Sequence, residues 1–161
     1  MITNWKHGTV ALASYLNEQG YSSGLLQKYK KSCWLHSPVL TIYTLFGDQI
    51  DWQGGLYAIQ KQQKWDIHIG GKTALEIKGY GHNLGTELNR VFLYSENLNK
   101  LPLWFKKLNW RVRIIYTAKN LFSATLKDSF SELQHKEFSL KISSPERAVI
   151  EMLYNVPNKV N

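Results

Sequence analysis

Residues 9–31 read TVALASYLNEQGYSSGLLQKYKK, and the two stretches on either side of Gly20 decide the fold. In the first, Leu12, Tyr15 and Leu16 recur at three- and four-residue spacing, which predicts a short helix with Thr9 as its N-cap. Gly20 falls where that helix must end in a left-handed residue. Ser22 is the next N-cap, and Leu25, Leu26, Tyr29 and Cys33 form an apolar stripe at helical spacing behind it. The opposite face of this second helix carries Ser23, Gln27, Lys28, Lys30 and Lys31. Two short helices therefore meet across the tight connection Gln19-Gly20-Tyr21.

The chain then changes character. Leu40-Thr41-Ile42-Tyr43-Thr44-Leu45 is rich in β-branched and aromatic residues and is closed by Gly47-Asp48, so it reads as a strand. Helix, tight turn, basic helix and β-ribbon is the order of a winged helix-turn-helix. In that motif the second helix enters the major groove, where polar side chains meet base edges and lysines meet phosphates. Ser23 and Gln27 lie one turn apart, and glutamine bonds adenine with both ends of its amide. Lys28, Lys30 and Lys31 are placed for the backbone, with Ser22 at the helix start and Thr41 and Tyr43 on the ribbon completing the expected DNA-binding set.

Beyond residue 50, Asp51 is placed to cap a helix running through Trp52, Leu56, Tyr57, Ile59 and Gln60. Lys72–Lys78 reads as helical, entered from Gly70-Gly71 and left at Gly79. Residues 90–94, 111–116 and 138–142 read as strands, with 103–107 a short ambiguous segment between the first two. Ser144-Pro145-Glu146-Arg147 opens a last helix, Ser144 capping and Pro145 at its first position. The expected class is α+β: an N-terminal winged helix-turn-helix followed by helices and a small mixed sheet. Residues 1–96 form its DNA-binding domain with two following helices, and 97–161 a partial second α/β region.

The net charge is +8, from 20 basic and 12 acidic side chains, which suits an acidic partner. Residues 1–50 carry +2, residues 51–97 none, and residues 98–161 carry +6, including Lys106, Lys107, Arg111 and Arg113. That basic last third leaves an RNA- or partner-binding module as one alternative. The single Cys33 excludes an internal disulfide framework and any multi-cysteine zinc site. No apolar run approaches the ~20 residues a bilayer needs, and the N-terminus lacks an apolar signal core. A cytoplasmic protein without membrane contact is expected.

Three motifs resemble catalytic sites. Gly20-Tyr21-Ser22-Ser23-Gly24 fits G-x-S-x-G, but that elbow needs a preceding buried strand, and residues 9–16 read as helix. Ile69-Gly70-Gly71-Lys72-Thr73 ends like a phosphate-binding loop, yet Asp66 stands where the required first glycine belongs. A helix N-terminus behind Gly70-Gly71 still attracts an anion. Asp66 with Glu76-Ile77-Lys78 resembles the acidic residue and E-x-K of a metal-dependent nuclease, the leading enzymatic alternative. That chemistry needs the two carboxylates on neighbouring strands, and a helix at residues 72–78 separates them. His7, His36, His68, His82 and His135 are dispersed without ligand spacing, and Trp34, Trp52, Trp65 and Trp110 border apolar segments as core residues do. Neither metal nor cofactor nor catalysis is expected.

Several segments together resemble one known family. Gln19-Gly20-Tyr21-Ser22, Leu25-Leu26-Gln27-Lys28-Tyr29 and Trp34-Leu35 are similar to the N-terminal domain of AbiEi proteins, antitoxins of type IV toxin–antitoxin systems in bacterial abortive infection. Asp51-Trp52-Gln53-Gly54 with Leu56-Tyr57-Ala58, and His68-Ile69-Gly70-Gly71-Lys72-Thr73-Ala74-Leu75-Glu76, continue the likeness. Ser144-Pro145-Glu146-Arg147-Ala148 and Glu151-Met152-Leu153 extend it. It is strongest over residues 7–98. The resemblance implies a winged-helix autorepressor that binds operator DNA, and a C-terminal part opposing a nucleotidyltransferase-like toxin without a stable complex. It makes Lys106, Lys107, Arg111 and Arg113 the expected antitoxin surface, and Gly70–Lys72 and Glu76–Lys78 parts of a non-catalytic helix. Relatives usually continue past the point where this chain reaches Asn161, so its antitoxin region is expected to be partial. Two departures stand out: Cys33 replaces a common glycine before Trp34, and Pro38-Val39 replaces a glycine-rich entry to the wing.

Overall fold

The computed structural model describes residues 4–81, 88–122 and 129–155. The chain divides into two compact units, the first comprising Met1–Trp65, Leu101–Trp110 and Gln134–Ser139, the second Asp66–Lys100, Arg111–Leu133 and Leu140–Asn161. His82 lies outside the described residues.

The first unit starts with strand β1 (Ala11–Leu12), helix α1 (Ala13–Glu18) and helix α2 (Ser23–Lys31). The hairpin strands β2 (Leu35–His36) and β3 (Ile42–Leu45) follow, then helix α3 (Trp52–Lys61). The three strands form an antiparallel sheet in the order β1-β3-β2. Beneath it Ala11, Leu16, Leu26, Leu35 and Tyr43 make one core cluster, with Tyr21 and Tyr29 packed against it. Two sequence expectations are corrected here. Thr9 does not cap α1: its hydroxyl donates to the Lys6 carbonyl, and the helix begins at Ala13 without a side-chain cap. The preceding residues are strand because Ala11 and Leu12 pair with Tyr43 and Ile42, while the Gln62 side-chain amide bonds the Val10 carbonyl and Leu12 amide at 2.8 and 2.9 Å.

Asp51 caps α3 as expected, its Oδ1 accepting from the Gly54 amide at 2.9 Å. Its Oδ2 meets Lys136 Nζ at 2.8 Å and His135 Nε2 at 3.0 Å. Burial alone would raise the Asp51 pKa, but Lys136, the Gly54 amide and His135 outweigh it and hold the carboxyl below its ordinary range. Helix α5 (Leu103–Lys107) resolves the ambiguous segment and supplies Phe105, which with Trp110 covers Gly55. A Cβ at Gly55 would sit 2.6 Å from the Trp110 ring, so only glycine permits that approach.

The second unit holds strands β4 (His68–Ile69), β5 (Arg90–Ser95) and β6 (Arg113–Ala118) and the larger parts of β7 (Phe130–His135) and β8 (Phe138–Ser143), a five-stranded sheet in the order β6-β5-β4-β8-β7. The sheet is mixed: β4 runs antiparallel to β5 and parallel to β8, and β5 runs parallel to β6. Helices α4 (Gly71–Ile77) and α6 (Pro145–Tyr154) pack on each other, and α4 also packs on β5. Ser144 caps α6 through the Arg147 amide, with Pro145 in its first turn as expected. The strand anticipated from residue 111 begins at Arg113, because Arg111 takes a left-handed φ of 58°.

Candidate nucleic-acid interface

The helix-turn-helix is held by two consecutive helix stops of the same design. At the end of α1, Gly20 has φ 94°, its amide donates to the Asn17 carbonyl, and the Tyr21 amide donates to the Leu16 carbonyl. This is a Schellman stop, and Tyr21 packs on the cluster containing Leu16 as the motif's hydrophobic contact. Ser22 then caps α2, its Oγ accepting from the Leu25 amide at 3.2 Å. At the end of α2 the same pattern recurs: the Cys33 amide donates to Lys30, the Trp34 amide to Tyr29, and the Trp34 and Tyr29 rings stack 6.0 Å apart.

Cys33 occupies the left-handed position of that second stop, with φ 55°. It is exposed and is not part of the apolar stripe, which ends at Tyr29. Trp34 is likewise not core: it is 58% exposed, while Trp52 and Trp110 are buried. The geometry also explains why a glycine belongs before Trp34, since a left-handed L-residue costs roughly 1–2 kcal/mol. Cys33→Gly should therefore raise stability by about 1 kcal/mol, after allowing for the freer unfolded chain that glycine brings. Chemical denaturation of the two proteins side by side measures it.

Leu26 anchors α2 from beneath, 1% exposed, leaving Ser22, Ser23, Gln27, Lys28, Lys30 and Lys31 on the outside. Ser23, Gln27 and Lys30 follow one another at helical intervals along the outer face. No acidic residue occurs on α2, and none of its three lysines forms an ion pair among the described residues. At ~1.5 Å per residue the nine residues of α2 make a rod about 13.5 Å long, and its ≈ 10–12 Å helix diameter is what a major groove ≈ 12 Å wide admits. The hairpin forms the wing. Thr41, at its turn, is exposed and left-handed at φ 69°, unusual for a β-branched residue and the kind of strain that gathers at working loops. Tyr43, expected on the DNA face, is corrected: it is 8% exposed and lies in the core cluster.

The four cationic residues of the expected antitoxin surface are all exposed but belong to different units. Lys106 and Lys107 end α5 in the first, whereas Arg111 and Arg113 lie at the start of β6 in the second.

The nuclease reading fails on geometry. Glu76 lies on α4, where Lys72 Nζ approaches it at 3.9 Å. Lys78 Nζ donates to Ser131 Oγ at 2.7 Å, and Asp66 pairs with Lys141 at 2.8 Å. Among the described residues no group of three or more His, Cys, Asp or Glu is placed to hold a metal.

Sequence reasoning missed a buried polar cluster in the second unit. Glu151, fully buried, accepts from Gly71 N at 2.9 Å, from Ser143 Oγ at 2.9 Å and from Arg147 Nε at 2.9 Å, and its Oε1 lies 2.7 Å from His68 Nε2. Arg147 continues to Ser129 and Glu96, its guanidinium lying over the Phe122 and Phe130 rings. The anion attracted to the start of α4 is thus a carboxylate of the same chain. A Cβ at Gly70 would stand 2.2 Å from Glu151 Oε2, and one at Gly71 would stand 2.5 Å from the Tyr94 hydroxyl. Gly70-Gly71 is therefore a packing motif that lets α6 close on α4.

Helix, Schellman turn, capped basic helix and β-wing define a winged helix-turn-helix, the architecture of DNA-binding regulators. Residues 1–86 match the family model described as "Transcriptional regulator, AbiEi antitoxin N-terminal domain", and residues 88–161 match "Transcriptional regulator, AbiEi antitoxin, Type IV TA system". The chain belongs to the AbiEi family: it is a DNA-binding autorepressor and antitoxin of the type IV toxin–antitoxin class. Both descriptions are of regulators, not of enzymes. No curated protein matches the chain. Among the described residues no helix is long and apolar enough to cross a membrane.

Proposed function

We propose that α2 is the operator-reading element. Ser23 and Gln27 face base edges, Ser22, Lys28, Lys30 and Lys31 hold the phosphate backbone, and Thr41 on the wing meets the flanking backbone. The observation that carries this reading is the outward face of α2, with three lysines free of ion pairs among the described residues beside an exposed Gln27. Residues 1–96 act as the DNA-binding domain and residues 97–161 as an antitoxin region that needs no catalysis of its own. Lys106, Lys107, Arg111 and Arg113 oppose a nucleotidyltransferase-like toxin in the cytoplasm, without a stable complex. Their exposure and the basic charge of the last third support that role.

Gel-shift titrations of Gln27→Ala test the reading. A bidentate amide–adenine contact is worth about 1–3 kcal/mol of discrimination, so binding to the native upstream DNA should weaken roughly 5- to 150-fold. Scrambled DNA of the same length should be bound as before. Equal losses on both DNAs would remove Gln27 as the base reader.

A further inference from the structure

Within the first unit, a cavity of about 400 Å³ opens beside α1, α2 and α3, within the size range of small-molecule sites. Trp5, Tyr15, Tyr21, Tyr29 and Tyr57 contribute rings to its wall, beside aliphatic and polar side chains. Among the described residues the hydroxyls of these four tyrosines make no hydrogen bond, whereas those of Tyr94, Tyr116 and Tyr154 are all bonded. Unpaired phenols around a cavity are both stacking surfaces and free polar groups. The charge on the walls is of one sign. Lys6 and Lys61 line the cavity, Lys6 Nζ lying 5.5 Å from the centre of the Tyr57 ring, and among the described residues no aspartate or glutamate lines it.

We propose that this cavity binds a planar aromatic molecule carrying an anionic group, the ring stacked among the tyrosines and the anion held by Lys6 and Lys61. A nucleoside monophosphate and an aromatic carboxylate both present that chemistry. Leu26 and Tyr29 bring the inner face of α2 to the cavity. Occupancy is therefore felt by the helix whose outer face carries Gln27 and the lysines. Ligand and operator then alter each other's affinity by the same factor. This coupling rests on α2 reading the operator, but the binding site itself does not.

The full chain is titrated, without DNA, with adenosine and guanosine monophosphates and with indole-3-carboxylate, followed by calorimetry and tryptophan fluorescence. Adenosine and inorganic phosphate serve as probes lacking the anion and the ring. At least one planar anion should saturate one site per chain, and which one does so identifies the source. The double variant Lys6→Gln/Lys61→Gln should bind it at least 10-fold more weakly at an unchanged melting temperature, and Lys61→Glu alone should show the same loss. Lys100→Gln should bind as the parent does. Saturation by none of the planar anions, equal binding by phosphate alone, or parental affinity in the lysine variants would overturn the site. Saturating ligand should shift operator affinity at least threefold; an unchanged affinity would overturn the coupling while leaving the site.

Discussion

Glu151→Ala is expected to cost about 3–5 kcal/mol, the loss seen when one partner of a buried ion pair is removed and the other stays charged. The carboxylate is the hub on which Arg147, His68, Ser143 and the Gly71 amide converge, every one of them buried. Alanine leaves a guanidinium with one of its three partners gone and a backbone amide with none, in a place closed to water. Losses of this size are a large part of a domain's 5–15 kcal/mol, so urea unfolding should shift far toward low denaturant. The same carboxylate makes the protein acid-sensitive. Burial would raise its pKa, but the His68 hydrogen bond and charge, the Gly71 amide and Ser143 hold it below the ordinary glutamate value of 4.5. A depressed folded pKa gives stability that is complete above the unfolded value and is lost as pH falls through the folded one. Parent stability should therefore decline on acidification below about pH 4.5, and Glu151→Gln should flatten that decline. A Glu151→Ala loss under 1 kcal/mol would show that the cluster does not hold the second unit.

Replacing Lys28, Lys30 and Lys31 together by alanine should produce the largest loss of DNA affinity. Each phosphate neutralised contributes ~0.9 to the slope of log affinity against log salt, so three contacts contribute ~2.7. Between 50 and 200 mM salt the parent should lose about 40-fold more affinity than the variant. The effect should be alike on operator and scrambled DNA, because backbone contacts carry no sequence information. An unchanged slope would place the phosphate contacts elsewhere. Helix α2 itself should survive the substitution, since alanine is the best helix former and the three lysines hold no partner among the described residues.

The features legible in the sequence are those whose cause lies within a few residues. Ser22, Asp51 and Ser144 cap helices through amides three residues on, and the Gly20 and Tyr21 amides stop α1 through carbonyls three and five residues back. The winged-helix order and α4 follow from such local signals. What was not legible depends on distant partners. Residues 11–12 are strand because of Ile42 and Tyr43, and Tyr43 itself lies in the core cluster with Ala11. Trp34 is exposed because its ring belongs to a helix stop, stacked on Tyr29, and not to a buried face. The hub at Glu151 reaches His68 and Gly71, 83 and 80 residues away, although Gly70-Gly71 and Ser144–Glu151 are both visible as motifs. Sharing a basic stretch of sequence does not assign Lys106 and Arg113 to one unit.

The central claim, that the outer face of α2 lies in the operator's major groove, is tested most directly by site-specific crosslinking. A photoactivatable group is placed at position 27 and, separately, at position 106, and each full chain is irradiated with operator DNA at near-physiological salt. Adducts to bases are expected from position 27 on operator but not on scrambled DNA, and none to bases from position 106. Base adducts from position 106 with none from position 27 would contradict the claim.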